Sequence, residues 1–212
     1  MNLRHLKTVF QLTIFIIIFY TNLSQASITN TNPGKGLIRI FGDSLAAGRG
    51  TKDKTVQPLG CLQQLDSTNV ISDAVSGFRS NQVLLAWKAS TKLNKNVKLI
   101  FISSGGNDVR SDEKKPGSYP KEKTFTELNT LFDEALKTGA VVAYLGLNPP
   151  VVFAERLPMI SEIAQKKGII VIDGMRNFWG DQNFMNDKLH PNTAGYTIMC
   201  ERMLKAIKPY YP

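Results

Sequence analysis

The sequence predicts an α/β fold, a three-layer α/β/α sandwich around a mostly parallel sheet of five strands. Three observations predict it: five short apolar or β-branched runs recur along the chain, helical patterns separate them, and glycines stand where two of those helices should close. Parallel strands need long crossovers, usually helices, so alternation of strand and helix points to a sheet covered on both faces.

Residues 37–41 read as the first buried strand, which runs into a Gly-Asp turn. Further strands are predicted over residues 69–75, 97–102, 140–145 and 169–172. Helices are predicted over 58–65, 80–89, 125–138, 155–167 and 192–207. Gly139 and Gly168 follow two of these helices, where a left-handed closing residue is easiest for glycine to supply. Residues 112–123 carry four lysines with Pro116, Gly117 and Pro120, and read as a loop that interrupts the domain without dividing it. A chain of 212 residues with 42% apolar and 20% charged residues has the balance of one globular domain, assigned here to residues 37–212.

The first 26 residues read as a signal peptide. Arg4 and Lys7 precede an apolar run over residues 9–20, and Ser24-Gln25-Ala26 offers small residues at both positions that set a cleavage site. The run is short for a membrane span, which needs about 20 apolar residues, so cleavage leads and an uncleaved N-terminal anchor is the alternative; no later segment is long enough to span, so no stable span is expected after cleavage. Residues 27–36 form a polar segment before the domain. Export, to the periplasm or the exterior, is the expected localisation. Cleavage removes Arg4 and Lys7 and no acid, leaving the +9 chain at +7. The basic residues are scattered, without the density of a nucleic-acid arm or a reader motif, so no nucleic-acid partner is expected. The two cysteines, Cys61 and Cys200, are free to pair in an oxidising compartment or to stay as two buried thiols.

In open α/β sheets, ligands bind outside the carboxyl ends of the strands, and four segments there carry chemistry. Gly42-Asp43-Ser44-Leu45 puts a hydroxyl on the turn leaving the first strand, although Gly-Asp-Ser is also an ordinary turn or helix start. Apart from His5 in the expected signal, His190 is the sole imidazole. Asp187 precedes it by three residues, so one turn can bring the carboxylate to one ring nitrogen and leave the other for a serine. Pro191 disfavours helix at His190 and Asn192 suits a helix cap, which holds the imidazole on a short loop. Gly77, and the side-chain amide of Asn107 within Gly105-Gly106-Asn107-Asp108, follow the second and third strands and can donate to a developing oxyanion. The glycine and Asn-Asp clusters are also frequent turn chemistry.

Taken in order, the four segments resemble the SGNH hydrolase family, also called GDSL-like esterases and lipases. The resemblance runs over Gly42-Asp43-Ser44-Leu45, the region of Gly77, Gly106-Asn107-Asp108, and Asp187 through His190. It implies an SGNH, flavodoxin-like architecture with Ser44 as nucleophile and Asp187 and His190 completing the triad. The amides of Ser44 and Gly77 and the side chain of Asn107 would form the oxyanion hole. The chain is most similar to the compact bacterial branch that includes exported thioesterase/lysophospholipase enzymes, through its size and Leu45-Ala46-Ala47-Gly48. It departs at Gly77-Phe78-Arg79-Ser80, where that branch often has Gly-Asp-Thr-Ser. In the family's order the first and last helices lie on one side of the sheet, which favours a disulfide between Cys61 and Cys200.

The expectation is an exported, monomeric serine hydrolase that cleaves carboxylic esters through an acyl-enzyme, without metal or organic cofactor. Its partner would be a small-molecule, lipid or glycan ester. Lysophospholipase/thioesterase-like work leads, an O-acetylesterase acting on a cell-envelope or extracellular glycan is the alternative, and a catalytically silent binding module for an acylated ligand is the reading from another class.

Overall fold

The computed structural model describes residues 27–28, 36–90, 96–149 and 155–211. The signal-peptide reading of residues 1–26 lies outside the described residues, as does most of the polar segment after it. Among the described residues the chain runs β1 (Leu37–Gly42), α1 (Pro58–Leu62), β2 (Val70–Ser72), α2 (Ser80–Ala89), β3 (Val97–Ser103), α3 (Gly106–Lys114), α4 (Lys121–Leu136), β4 (Val141–Leu145), α5 (Arg156–Lys166), β5 (Ile170–Ile172) and α6 (Thr193–Ile207). A 3₁₀ turn over Lys208–Tyr210 follows.

The strands form one parallel sheet in the order β2-β1-β3-β4-β5. Every residue of β3 and β4 is buried, as expected of parallel strands covered on both faces. Helices α2, α4 and α5 pack together over one face, while α1 and α6 pack together on the other. Three layers result. Apolar spacing makes α6 the firmest of the helices. Tyr196, Met199, Cys200, Met203, Leu204 and Ile207 form one buried stripe, and the Asn192 side chain caps the amino end by accepting from the Gly195 amide at 3.0 Å. Gly139 and Gly168 sit at φ 78° and 77° past α4 and α5, where a side chain would be strained.

Two cations interrupt the apolar strands and are met individually. Arg39 is fully buried, pairs with Asp73 and lies over the Phe41 ring. Lys98 pairs with Asp66 at 2.8 Å and lies over the Tyr211 ring.

The structure corrects the sequence reading of the lysine-rich segment. Residues 112–114 finish α3 and residues 121–123 open α4, so the true loop is residues 115–120. Helix α3 is polar nearly all round, with Asp108 and Val109 as its buried residues, so it offers no apolar period from which to read a helix. Strand β2 is shorter than expected because it is the sheet edge, half-buried, and runs into Ser72 and Asp73.

Cys61 of α1 and Cys200 of α6 are joined by a disulfide with Cα atoms 5.6 Å apart, spanning 139 residues of chain. A bridge closing so long a loop removes much denatured-state entropy, about 5 kcal/mol in the chain-entropy model and commonly less in practice. A Cys61→Ala/Cys200→Ala protein is expected to lose about 3 to 5 kcal/mol, read as a lower melting temperature than the oxidised parent. Equal melting of the two would contradict the bridge.

Candidate active site

The order β2-β1-β3 places the topological switch between β1 and β3, and the turns leaving those two strands face one crevice. Ser44 stands on the first turn. Gly42 makes the turn possible by close approach, since a Cβ there would meet the Ser103 carbonyl oxygen at 2.4 Å. The segment after Ser44 is pinned against α6: the Tyr196 hydroxyl donates to the carbonyls of Leu45 and Arg49 at 3.3 and 2.9 Å. Gln57 donates to the carbonyls of Gly48 and Thr51 from the other side. Gly50, at φ 111°, lets this loop touch the histidine loop, because a Cβ there would sit 2.1 Å from the Pro191 carbonyl oxygen and 3.0 Å from the His190 Cβ.

The histidine loop is a small closed structure. Met185 and Pro191 form an antiparallel bridge, and the Asn186 amide donates to the His190 carbonyl at 2.8 Å. Asp187 accepts the amides of Leu189 and His190 at 2.7 and 2.8 Å, which folds its carboxylate back onto the ring. His190 Nδ1 then lies 2.9 Å from Asp187 Oδ2, and Nε2 lies 2.9 Å from Ser44 Oγ. His190 is 6% exposed, whereas the Asp187 side chain is 45% exposed. Burial pushes the Asp187 carboxyl up, but the His190 ring and the two amides more than offset it and hold it below its ordinary value. Asp187 is therefore a carboxylate at neutral pH, able to accept a hydrogen from His190 Nδ1.

Asn107, at the start of α3, shares the cleft with Ser44 and His190. Its Nδ2 donates one hydrogen to the Phe78 carbonyl at 2.9 Å, leaving the second N–H for another acceptor. Among the described residues, the backbone amides of Ser44 and Gly77 donate to no protein group. Gly77 adopts φ 90° with no atom within 4 Å of where a Cβ would stand, so glycine is required there by the backbone and not by crowding. It lines a second pocket on Asn107, adjoining the cleft that holds Ser44.

Sequence reasoning missed several parts of this site. Asp108, fully buried, accepts both the amide and hydroxyl of Ser80, linking the start of α2 to α3 and so the Gly77 loop to Asn107. Burial holds the Asp108 carboxyl above its usual range despite those donors. The cleft itself takes its apolar wall from Leu45, Leu147, Pro149, Leu157, Trp179 and Leu189. These come from the turns after β1, β4 and β5 and from the start of α5, which only the folded sheet brings together.

Asp43, beside the serine, is almost fully buried and accepts from the Leu45 amide and the Ser103 hydroxyl. Burial outweighs both donors and raises its carboxyl from 3.8 to about 6. The unfolded chain ionises this group first, so the fold loses stability as pH rises through the interval and keeps the loss above it. The stability of Asp43→Asn relative to the parent should rise by about 3 kcal/mol at most between about pH 4 and 7, whatever constant offset the amide brings. Urea unfolding at the two pH values checks this, and a pH-independent difference would contradict it.

Comparison with known proteins is consistent with this geometry. The model of the GDSL-like lipase/acylhydrolase family matches residues 40–198. The chain is 24% identical to the uncharacterized protein YpmR of Bacillus subtilis (strain 168), over 81% of each chain. Among solved structures it is similar to TesA (TM-score 0.68, 23% identity, 82% of this chain and 99% of that one). It is also similar to the psychrotrophic esterase EstA of Pseudoalteromonas sp. (0.65, 21%, 82% and 98%). A third likeness is to Axe2, an acetylxylan esterase of Geobacillus stearothermophilus (0.64, 17%, 83% and 95%). With a family match that spans the sheet and all four site segments, the chain belongs to the GDSL-like lipase/acylhydrolase family of ester hydrolases.

Proposed function

We propose that this protein is an exported serine esterase in which Ser44 is the nucleophile, His190 the base and Asp187 the residue that orients and charges-balances the imidazole. The observation that carries the reading is the continuous relay from Asp187 through His190 to Ser44, with both ring contacts at 2.9 Å. His190 Nε2 takes the Ser44 proton as Oγ bonds to the ester carbonyl carbon. The oxyanion is met by the Asn107 side chain and the Ser44 and Gly77 amides. His190 returns its proton to the departing alcohol, leaving an acyl-Ser44 ester. Water then attacks that ester, losing a proton to His190, and the acid leaves as Ser44 is reprotonated.

The apolar wall supports an acyl chain longer than acetyl in the cleft, in keeping with lysophospholipase/thioesterase-like work. Export is supported by the charged-apolar-small pattern of residues 1–26 and by a disulfide that persists in oxidising compartments. Among the described residues no helix is long and apolar enough to cross a membrane.

Chromogenic acetate, butyrate, octanoate and palmitate esters, assayed with the parent and Ser44→Ala proteins, test the proposal. Turnover that depends on Ser44 and peaks beyond acetate is the expected result. Acetate-only turnover would replace the lipid-type reading with glycan deacetylation, and no turnover by folded protein would return the site to a binding role.

A further inference from the structure

Beside the catalytic cleft lies a second pocket of opposite character, lined by Gly77, Arg79, Gln82, Asn107, Arg110, Ser111 and Lys114. The two cavities share Asn107 and Arg110. Asn107, Arg110, Ser111 and Lys114 recur at helical spacing, so one face of α3 carries the oxyanion donor at its start and two cations farther along. Their Cα atoms advance about 4.5 Å from Asn107 to Arg110 and about 10 Å to Lys114. Arg79 closes the pocket from the opposite side and lies over the Tyr119 ring at 5.2 Å, a contact that helps fix its guanidinium.

Among the described residues none of these three cations forms a salt bridge. Of the three acids on α3, Asp108 is engaged with Ser80 and Asp112 with Arg156 at 2.8 Å, while Glu113 is exposed and lies outside the pocket's lining. Three like charges around one polar cavity repel one another and focus a positive potential there. An anion relieves that repulsion, and two guanidiniums with an ammonium suit the several oxygens of a phosphate.

We infer that this pocket binds a phosphate group on the alcohol half of the ester, so that the enzyme selects acyl esters of phosphorylated alcohols. The inference rests on the esterase reading above. The acyl chain lies against the apolar wall, the carbonyl oxygen faces Asn107, and the alcohol leads along α3 to Arg110, Arg79 and Lys114. Arg110, which lines both cavities, carries the selectivity at their junction.

The test compares two matched pairs: 1-butyrylglycerol 3-phosphate against 1-butyrylglycerol, and 3-O-butyrylglucose 6-phosphate against 3-O-butyrylglucose. Assays run at low salt and about pH 8, where a phosphate monoester is dianionic. The expected result is a preference in kcat/KM of about tenfold or more for the phosphorylated member of at least one pair. The pair showing it distinguishes a glycerophosphate from a sugar-phosphate source. Arg110→Gln/Lys114→Gln protein should lose most of that ratio, and added salt should shrink it. Because the ratio is taken within each protein, a general loss of activity cancels. Equal turnover of both members in both pairs would overturn the subsite while leaving the esterase reading intact. Absence of turnover on all four and on 4-nitrophenyl butyrate would overturn the esterase reading and the subsite with it.

Discussion

Replacing Ser44 with alanine is expected to lower kcat on a short-chain chromogenic ester by about five orders of magnitude. In the proposed mechanism the change removes the atom that forms the acyl-enzyme, so water must be the direct attacker. Asn107, the free Ser44 and Gly77 amides and the apolar wall remain, and these sustain a small residual rate above the uncatalysed one. KM should move little, since Ser44 Oγ contributes to the reaction more than to holding the substrate. Ser44 is half-buried and its hydroxyl bonds to His190, so truncation should cost little stability and the melting temperature separates a chemical loss from a folding one. Loss of activity accompanied by unfolding would leave the assignment without support.

Asp187→Asn is the second large effect, a fall in kcat of about three to four orders of magnitude. In the parent, Asp187 accepts the Nδ1 hydrogen and leaves Nε2 bare toward Ser44. An asparagine that turns its amide nitrogen to the ring inverts the tautomer, places a hydrogen on Nε2 and removes the base. The oxygen of the same asparagine can still accept the Leu189 and His190 amides, so the loop keeps its shape. Nearly half of the Asp187 side chain is exposed, so water tempers the loss relative to a fully buried partner. Kinetics should show the loss in kcat with KM close to the parent, and near-normal kcat would reduce Asp187 to a loop-shaping residue.

The reasons that parts of this protein were legible in sequence are local ones. Strand β4 is a continuous apolar run, β1 and β3 are apolar runs broken by one cation each, and α6 announces itself through a capping asparagine and a six-residue apolar stripe. Asp187 and His190 are three residues apart, so their meeting depends on one turn. By contrast, α3 carries its information in polar residues at helical spacing, and a helix this polar has no hydrophobic period. The contacts of Tyr196 with the loop after Ser44, of Asp108 with Ser80, and of Gly50 with the histidine loop cross 28 to 151 positions, and chain pattern alone does not reveal them. The apolar wall likewise exists only once the turns after β1, β4 and β5 are brought to one edge.

The most direct test of a Ser44 acyl-enzyme site is treatment of the folded protein with a fluorophosphonate, followed by intact mass and peptide mapping. The account predicts a single adduct on the peptide that contains Ser44, absent from Ser44→Ala and formed far more slowly in His190→Ala. An adduct elsewhere with Ser44 untouched, or unmodified protein under conditions that label a known serine esterase, would contradict it.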